Sequence, residues 1–226
     1  MSISTLNTSQ APSGQVIQDP TIMVKKGSIL EKRTSIGRYD ASRQLSIETI
    51  NELVRLACLA PSAFNLQNWE FVAVHTKQAK QKLYPLAFEQ PQVLEASVTY
   101  IISGKTQGYK YLDKALQASV DAKIISEGVQ KTWVDMVTQS HEANEQIQRD
   151  EAIRSASLAS MSLMIAAQEM GLVSGAMGGF DADAVKAEFA LNEDSLPVML
   201  ITVGFAAEGN WPQKLRKPLV EVLRAV

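Results

Sequence analysis

Residues 156 to 167 read ASLASMSLMIAA, apolar on nearly every side of a helix and interrupted only by small hydroxyls. A helix without a polar face cannot lie on a surface, so this segment demands burial on all sides and should be the central helix. The helix that carries it is predicted over Glu142 to Met170, with Gly171 as its C-cap. Leu196 to Phe205 is a second constraint, an almost unbroken apolar run that fits a strand covered on both faces.

The other elements follow from periodicity and punctuation. Ser46 is a good N-cap, and Ile47, Ile50, Leu53, Val54, Ala57 and Cys58 recur at helical spacing before Pro61 ends the run. Trp69 to Val74 and Ser97 to Ser103 are short, aromatic or β-branched and bounded by turn-formers, so both are read as strands. Helices are predicted over 76 to 85 and over the longer region 110 to 138, and Asp181 caps another over 182 to 189. Few strands among many helices, without strict alternation, define an α+β class.

Nothing interior reads as a linker, so residues 23 to 226 are taken as one domain. Residues 1 to 22 form a polar tail, or an arm that orders against a partner subunit. With 22 basic and 24 acidic residues there is no broad field to draw the chain to nucleic acid or anionic lipid, which leaves small molecules as ligands. A single cysteine, the absence of a signal-like N-terminus and the absence of a long apolar stretch point to the cytoplasm, away from a membrane.

Four separated stretches offer polar or glycine-rich backbone beside apolar anchors, as a planar cofactor with an anionic tail needs. Lys32 to Asp40 places Arg33 and Arg38 with Thr34 and Ser35 near a turn; guanidinium forks and hydroxyls suit a phosphate, though a solvated basic loop has the same composition. Ala60 to Trp69 carries Asn65, Gln67 and Asn68, whose amides can read a heterocycle edge or simply build a turn. In Gly171 to Phe180 the glycines allow close approach of backbone to a flat ligand. It matches neither a phosphate loop nor a dinucleotide fingerprint. Lys214-Leu215-Arg216-Lys217-Pro218 is a basic cluster that gains meaning only beside the first stretch.

Other chemistries fail on inventory. Two histidines and one cysteine make no metal cage, and no nucleophile elbow is present. Cys58, on an apolar helix face, is read as inert core.

Taken in order, the four stretches resemble the nitroreductase family, with its Arg-x-Ser turn, Pro-Ser-x-x-Asn-x-Gln-x-Trp loop, Gly-Phe turn and C-terminal Lys-x-Arg, over residues 23 to 226. The resemblance implies a central, mainly antiparallel sheet flanked by helices in an intertwined homodimer, with FMN as cofactor and NAD(P)H as reductant. It further implies that Arg33, Lys214 and Arg216 hold the FMN phosphate, with Thr34 and Ser35 assisting. Asn65 would meet the pyrimidine side of the ring. Pro61, Ser62 and Ala63 would reach it from the other subunit, and Gln67 would support their loop. Ala176 and Met177 would lie against the ring, with the amides of Gly178 and Gly179 directed at its N5 and O4. Gly37 stands where relatives often carry a basic residue near the ring, which Arg38 is positioned in sequence to replace. Asn68 stands where proline is common, and Gly178 where glutamate is.

The expected reaction is hydride transfer from NAD(P)H through the flavin to a nitroaromatic, quinone or similar small acceptor, by a ping-pong mechanism and without a catalytic side chain. Tyr109, Tyr111, Trp133 and Met136 are candidates to line the acceptor pocket. Different flavin chemistry on the same fold, such as dehalogenation or ring oxidation, and a non-catalytic flavin-binding protein are the alternatives.

Overall fold

The computed structural model describes residues 27–226, so the segment 1–22 read as a tail or arm lies outside the described residues. Along the chain come α1 (Ile29–Lys32), α2 (Ile47–Ala57), β1 (Trp69–Val74), α3 (Lys77–Leu86), α4 (Gln92–Glu95) and β2 (Val98–Lys105). They are followed by α5 (Leu112–Asp121), α6 (Glu127–His141), α7 (Glu145–Glu169), β3 (Val173–Met177), α8 (Ala182–Glu188), β4 (Ser195–Gly204) and α9 (Leu219–Val222). The strands form one antiparallel sheet in the order β1-β2-β4-β3, so the fold is α+β as expected.

Side chains alternate across β2. Val98, Tyr100 and Ile102 face a core shared with Ile50 and Leu53 of α2 and Ala156 and Leu163 of α7, whereas Ile101 faces Leu83, Val93 and Val185 of α3, α4 and α8. The sheet is therefore the middle of three layers. The Tyr100 hydroxyl donates to the Ile50 carbonyl at 2.9 Å, tying the sheet to α2 while satisfying a buried polar atom.

The ends of the long helix obey local chemistry. Asn144 accepts the Ile147 amide as N-cap. At the other end Gly171 takes a φ of +72°, and the amides of Gly171 and Leu172 return to the carbonyls of Gln168 and Ala167, a Schellman closure. Where α7 crosses β2, a Cβ on Gly104 would lie 2.1 Å from the Ala152 carbonyl oxygen, so only glycine permits this approach.

Three expectations need correction. The glycine-rich stretch expected to be a turn contains the edge strand β3, in which Gly175 admits the Ile36 backbone. The region 110 to 138 is not one helix: it starts as a 3-10 turn at Gly108–Tyr111 and breaks between α5 and α6, where Lys123 takes a φ of +58°. The all-round burial of α7 is also incomplete within the chain, because Leu158 is 40% exposed and Met161 and Ile165 are only half-buried.

Gly104→Ala should lower stability by about 3 kcal/mol, as expected for overpacking against rigid backbone. Urea unfolding monitored by circular dichroism measures this loss.

Candidate functional site

The open edge of β3 organises the site. Residues 33 to 40 run beside it: Ser35 bridges Ser174 in parallel, and the Ile36 amide donates to the Ser174 carbonyl at 3.0 Å. The segment then pairs with the turn after β4, through Asp40 N to Phe205 O at 2.9 Å and Ala207 N to Arg38 O at 3.1 Å. Gly175 makes this packing possible, since a Cβ there would lie 2.3 Å from the Ile36 carbonyl oxygen. Beneath, buried Tyr39 is hydrogen-bonded to Thr202 Oγ1 at 2.8 Å. Burial pushes its pKa up more than that bond lowers it, so the hydroxyl stays neutral.

Between this segment and the chain after β4 lies a cleft of about 460 Å³. Ser35, Arg38, Gly175, Ala176 and Lys214 line it, so a hydroxyl and two cations meet over a surface floored by small residues. The cations are not equivalent. Arg38 Nε lies 3.6 Å from Glu95, whose carboxylate also accepts the Tyr39 amide at 3.1 Å. Lys214 rests its ammonium 4.8 Å from the centre of the Trp211 ring.

Asn210, which sequence reasoning missed, joins the two walls. Its Oδ1 accepts the amides of Gly37 and Arg38, both at 3.0 Å, while Nδ2 donates to the carbonyls of Arg38 at 2.8 Å and Ala207 at 2.9 Å. Gln92 was also missed. It lines the cleft, and its Oε1 would sit 3.2 Å from a Cβ on Gly37. Neither residue belongs to a recognisable motif; both matter because of where distant backbone places them.

Beyond Ala176 the edge of β3 continues into Gly178 and Gly179, both exposed. Among the described residues neither of their amides is engaged in a hydrogen bond. Gln90 Nε2 fixes the turn by donating to the Gly179 carbonyl at 2.8 Å and to Ala87 O at 3.0 Å.

The other expected residues divide into three groups. Arg33 and Arg216 flank the cleft: Gln213 donates to the Arg33 carbonyl at 3.2 Å, and Arg216 to the Lys214 carbonyl at 2.7 Å. Thr34 lies between Arg33 and Ser35. Met177 turns its side chain into the core with Val74 and Leu200, leaving only backbone for a ligand, because alternation along β3 puts Ala176 outward and Met177 inward.

The third group, the 61 to 67 loop, is elsewhere in the chain and does not line the cleft. Phe64, Asn65 and Gln67 all have φ between 48° and 58°, an unusual concentration of left-handed backbone. Ser62 Oγ secures it by accepting the Gln67 amide at 2.9 Å, and Asn68 Nδ2 donates to Lys105 O at 3.1 Å, a bond proline could not make. Pro61 is exposed beside it. Ala63 and Phe64 pack with Tyr109 and Trp133, and the Phe64 and Trp133 rings meet edge-on at 5.9 Å. Tyr109, only 7% exposed, packs in the core formed with this loop and shows its edge in a surface pocket beside Lys110 and Glu142, away from the β3 cleft; Tyr111 and Met136 are exposed. Thus the loop and the α5 and α6 region form one unit, and the β3 cleft another.

Cys58 is half-buried beside α2, and burial raises its pKa, which keeps it a thiol. Among the described residues no helix is long and apolar enough to cross a membrane, and no cluster of three His, Cys, Asp or Glu side chains is placed to hold a metal ion.

An antiparallel sheet between helical layers, with a cleft lined by Arg38, Lys214 and small residues on its edge strand, defines the class as an α+β protein with a candidate small-molecule site. The chain belongs to the nitroreductase family, whose family model matches residues 30–205. It is 34% identical over 194 residues to the Bacillus subtilis protein named "Putative NAD(P)H nitroreductase YodC", covering 86% of this chain and 95% of that one. It is 32% identical to the NADH dehydrogenase of Thermus thermophilus over 85% of this chain and 91% of that one. Among solved structures, a "putative nitroreductase in complex with FMN" from Exiguobacterium sibiricum superposes with a TM-score of 0.83 at 26% identity, covering 90% of this chain and 98% of that one.

Asn210→Ala should cost about 2 kcal/mol by leaving the groups it joins unpaired. Hydrogen exchange should show the loss of protection concentrated at the Gly37 and Arg38 amides.

Proposed function

We propose that this chain is an NAD(P)H-dependent FMN oxidoreductase that reduces a nitroaromatic, a quinone or a similar small acceptor, and that it works as a homodimer. The observation that carries this reading is the cleft on the β3 edge, where Ser35, Arg38 and Lys214 converge beside Gly175 and Ala176. Its chemistry fits FMN: cations and a hydroxyl for the phosphate, small residues for a flat ring, and the amides of Gly178 and Gly179 for ring acceptors. When bound, FMN supplies a ring that takes up hydride from a nicotinamide and releases it to an acceptor.

The residues of this chain bind, orient and shield. Lys214 and Ser35, with Arg33 and Arg216 close by, hold the phosphate, and Asn210 fixes the backbone between them. Arg38 is shared with Glu95, so it only partly replaces the cation whose place Gly37 takes. No side chain acts as acid or base. One cleft serves reductant and acceptor in turn, which gives ping-pong kinetics.

The dimer is supported by what a single chain leaves uncovered. Leu158, Met161 and Ile165 form a partly exposed apolar stripe on α7, and Leu215, Leu219, Val220 and Leu223 are 64–98% exposed at the C-terminal end. Contiguous apolar surface of this kind marks association. In the dimer the partner brings its strained 61 to 67 loop, with Asn65, to the cleft that one chain builds without it.

Purified protein is expected to bind FMN and to bleach anaerobically with NADH or NADPH; a bound flavin that never bleaches overturns the oxidoreductase reading. Lys214→Ala should raise the Kd for FMN about tenfold, the scale of a charge-assisted hydrogen bond, by fluorescence titration. Sedimentation should give twice the 24.7 kDa chain mass.

A further inference from the structure

Two cations line the β3 cleft, and Glu95 takes up one of them. Arg38 lies 3.6 Å from that carboxylate, whereas among the described residues Lys214 makes no ion pair. The main chain around Lys214 is nevertheless held from several directions. Asn210 ties it to the opposite wall, Gln213 Nε2 donates to the Arg33 carbonyl at 3.2 Å, and Arg216 Nη1 donates to the Lys214 carbonyl at 2.7 Å. With the backbone set, what remains to be ordered is a flexible four-carbon stem that carries about 2 kcal/mol of rotamer entropy.

The neighbouring aromatic supplies that order. Trp211 lines the same cleft and is 71% exposed, so the core of the chain makes little use of it. The Lys214 ammonium stands 4.8 Å from the centre of its ring, inside the range of roughly 6 Å over which the ring face attracts a cation. Residues 211–218 are irregular, so this contact is not the by-product of a helical turn. Asn210 fixes the chain just before Trp211, and Pro212 just after it disfavours helical backbone at the tryptophan.

We propose that Trp211 is a positioning residue: its ring holds the Lys214 ammonium in the cleft, so that this cation meets the flavin phosphate already ordered. The proposal rests on the FMN reading above and deepens it. A carboxylate would orient the ammonium but also neutralise it, as Glu95 does for Arg38; an indole face orients it and leaves its charge for the ligand. Ordering the stem beforehand lowers the entropy lost on binding. None of this helps a flavin that lacks the phosphate.

The test titrates the full-length chain with FMN and with riboflavin, following flavin fluorescence. Trp211→Leu should raise the Kd for FMN about fourfold, the scale of an exposed cation–π contact, and leave the Kd for riboflavin unchanged. Trp211→Phe keeps a ring face and should restore most of the affinity. In a Lys214→Ala background Trp211→Leu should cost nothing further, because the group it positions is gone. Tm should stay within about 2 °C of wild type, as for an exposed substitution. Equal losses for FMN and riboflavin, a loss that persists without Lys214, a Trp211→Phe variant no better than Trp211→Leu, or an unchanged FMN affinity overturns the proposal. A wild-type protein that binds neither flavin, or binds riboflavin as tightly as FMN, overturns the underlying reading of the cleft instead.

Discussion

The structure depends on one contact, the packing of α7 against the face of the sheet. With Ala152 opposite Gly104 and Ala156, Leu163 and Ala167 against β2 and β4, small side chains allow close approach and apolar ones make it favourable. This contact fixes the position of β3, because the helix ends in the Gly171 closure and the chain re-enters the sheet at Val173. β3 becomes an edge strand by topology, and an edge strand has backbone groups to offer.

That edge is where physical constraint becomes function. Its first half is consumed by residues 33 to 40, which pair with Ser174 and are admitted by the missing side chain of Gly175. Its second half ends in amides that stay available. Charge arrives from two other regions, Arg38 on one wall and Lys214 on the other, and Asn210 joins those walls with four hydrogen bonds. The fold places an apolar core beneath a rim made of backbone donors and cations. Such a rim suits a cofactor that performs the chemistry while the protein orients it.

The strained loops belong to the same economy. Left-handed residues at 64, 65 and 67, and again at 88 and 89, cluster on connecting segments outside the strands and long helices. Core packing and hydrogen bonds such as Ser62 to Gln67 and Gln90 to Gly179 hold these turns against their local preference. Pattern reading has no means of finding them, because a left-handed phenylalanine leaves no trace in hydrophobic periodicity. Asn210 and Gln92 are equally invisible, since the Gly37 and Arg38 backbone that gives them their place lies over fifty residues away in sequence.

Neighbouring residues alone were enough to read the α+β class, the long helix with its glycine stop, strands β1, β2 and β4, and the four stretches whose order matches the nitroreductase family. These are local quantities: periodicity, caps and motif order are written in neighbouring residues. Long-range packing was needed to make the glycine stretch an edge strand, to set Met177 and Tyr109 in the core, and to share Arg38 with Glu95. The same packing seats the 61 to 67 loop against α5 and α6, away from its own chain's cleft. Each of these depends on which side of an element meets which distant neighbour, and that is settled by close packing across the whole chain, where no short stretch of sequence holds the information.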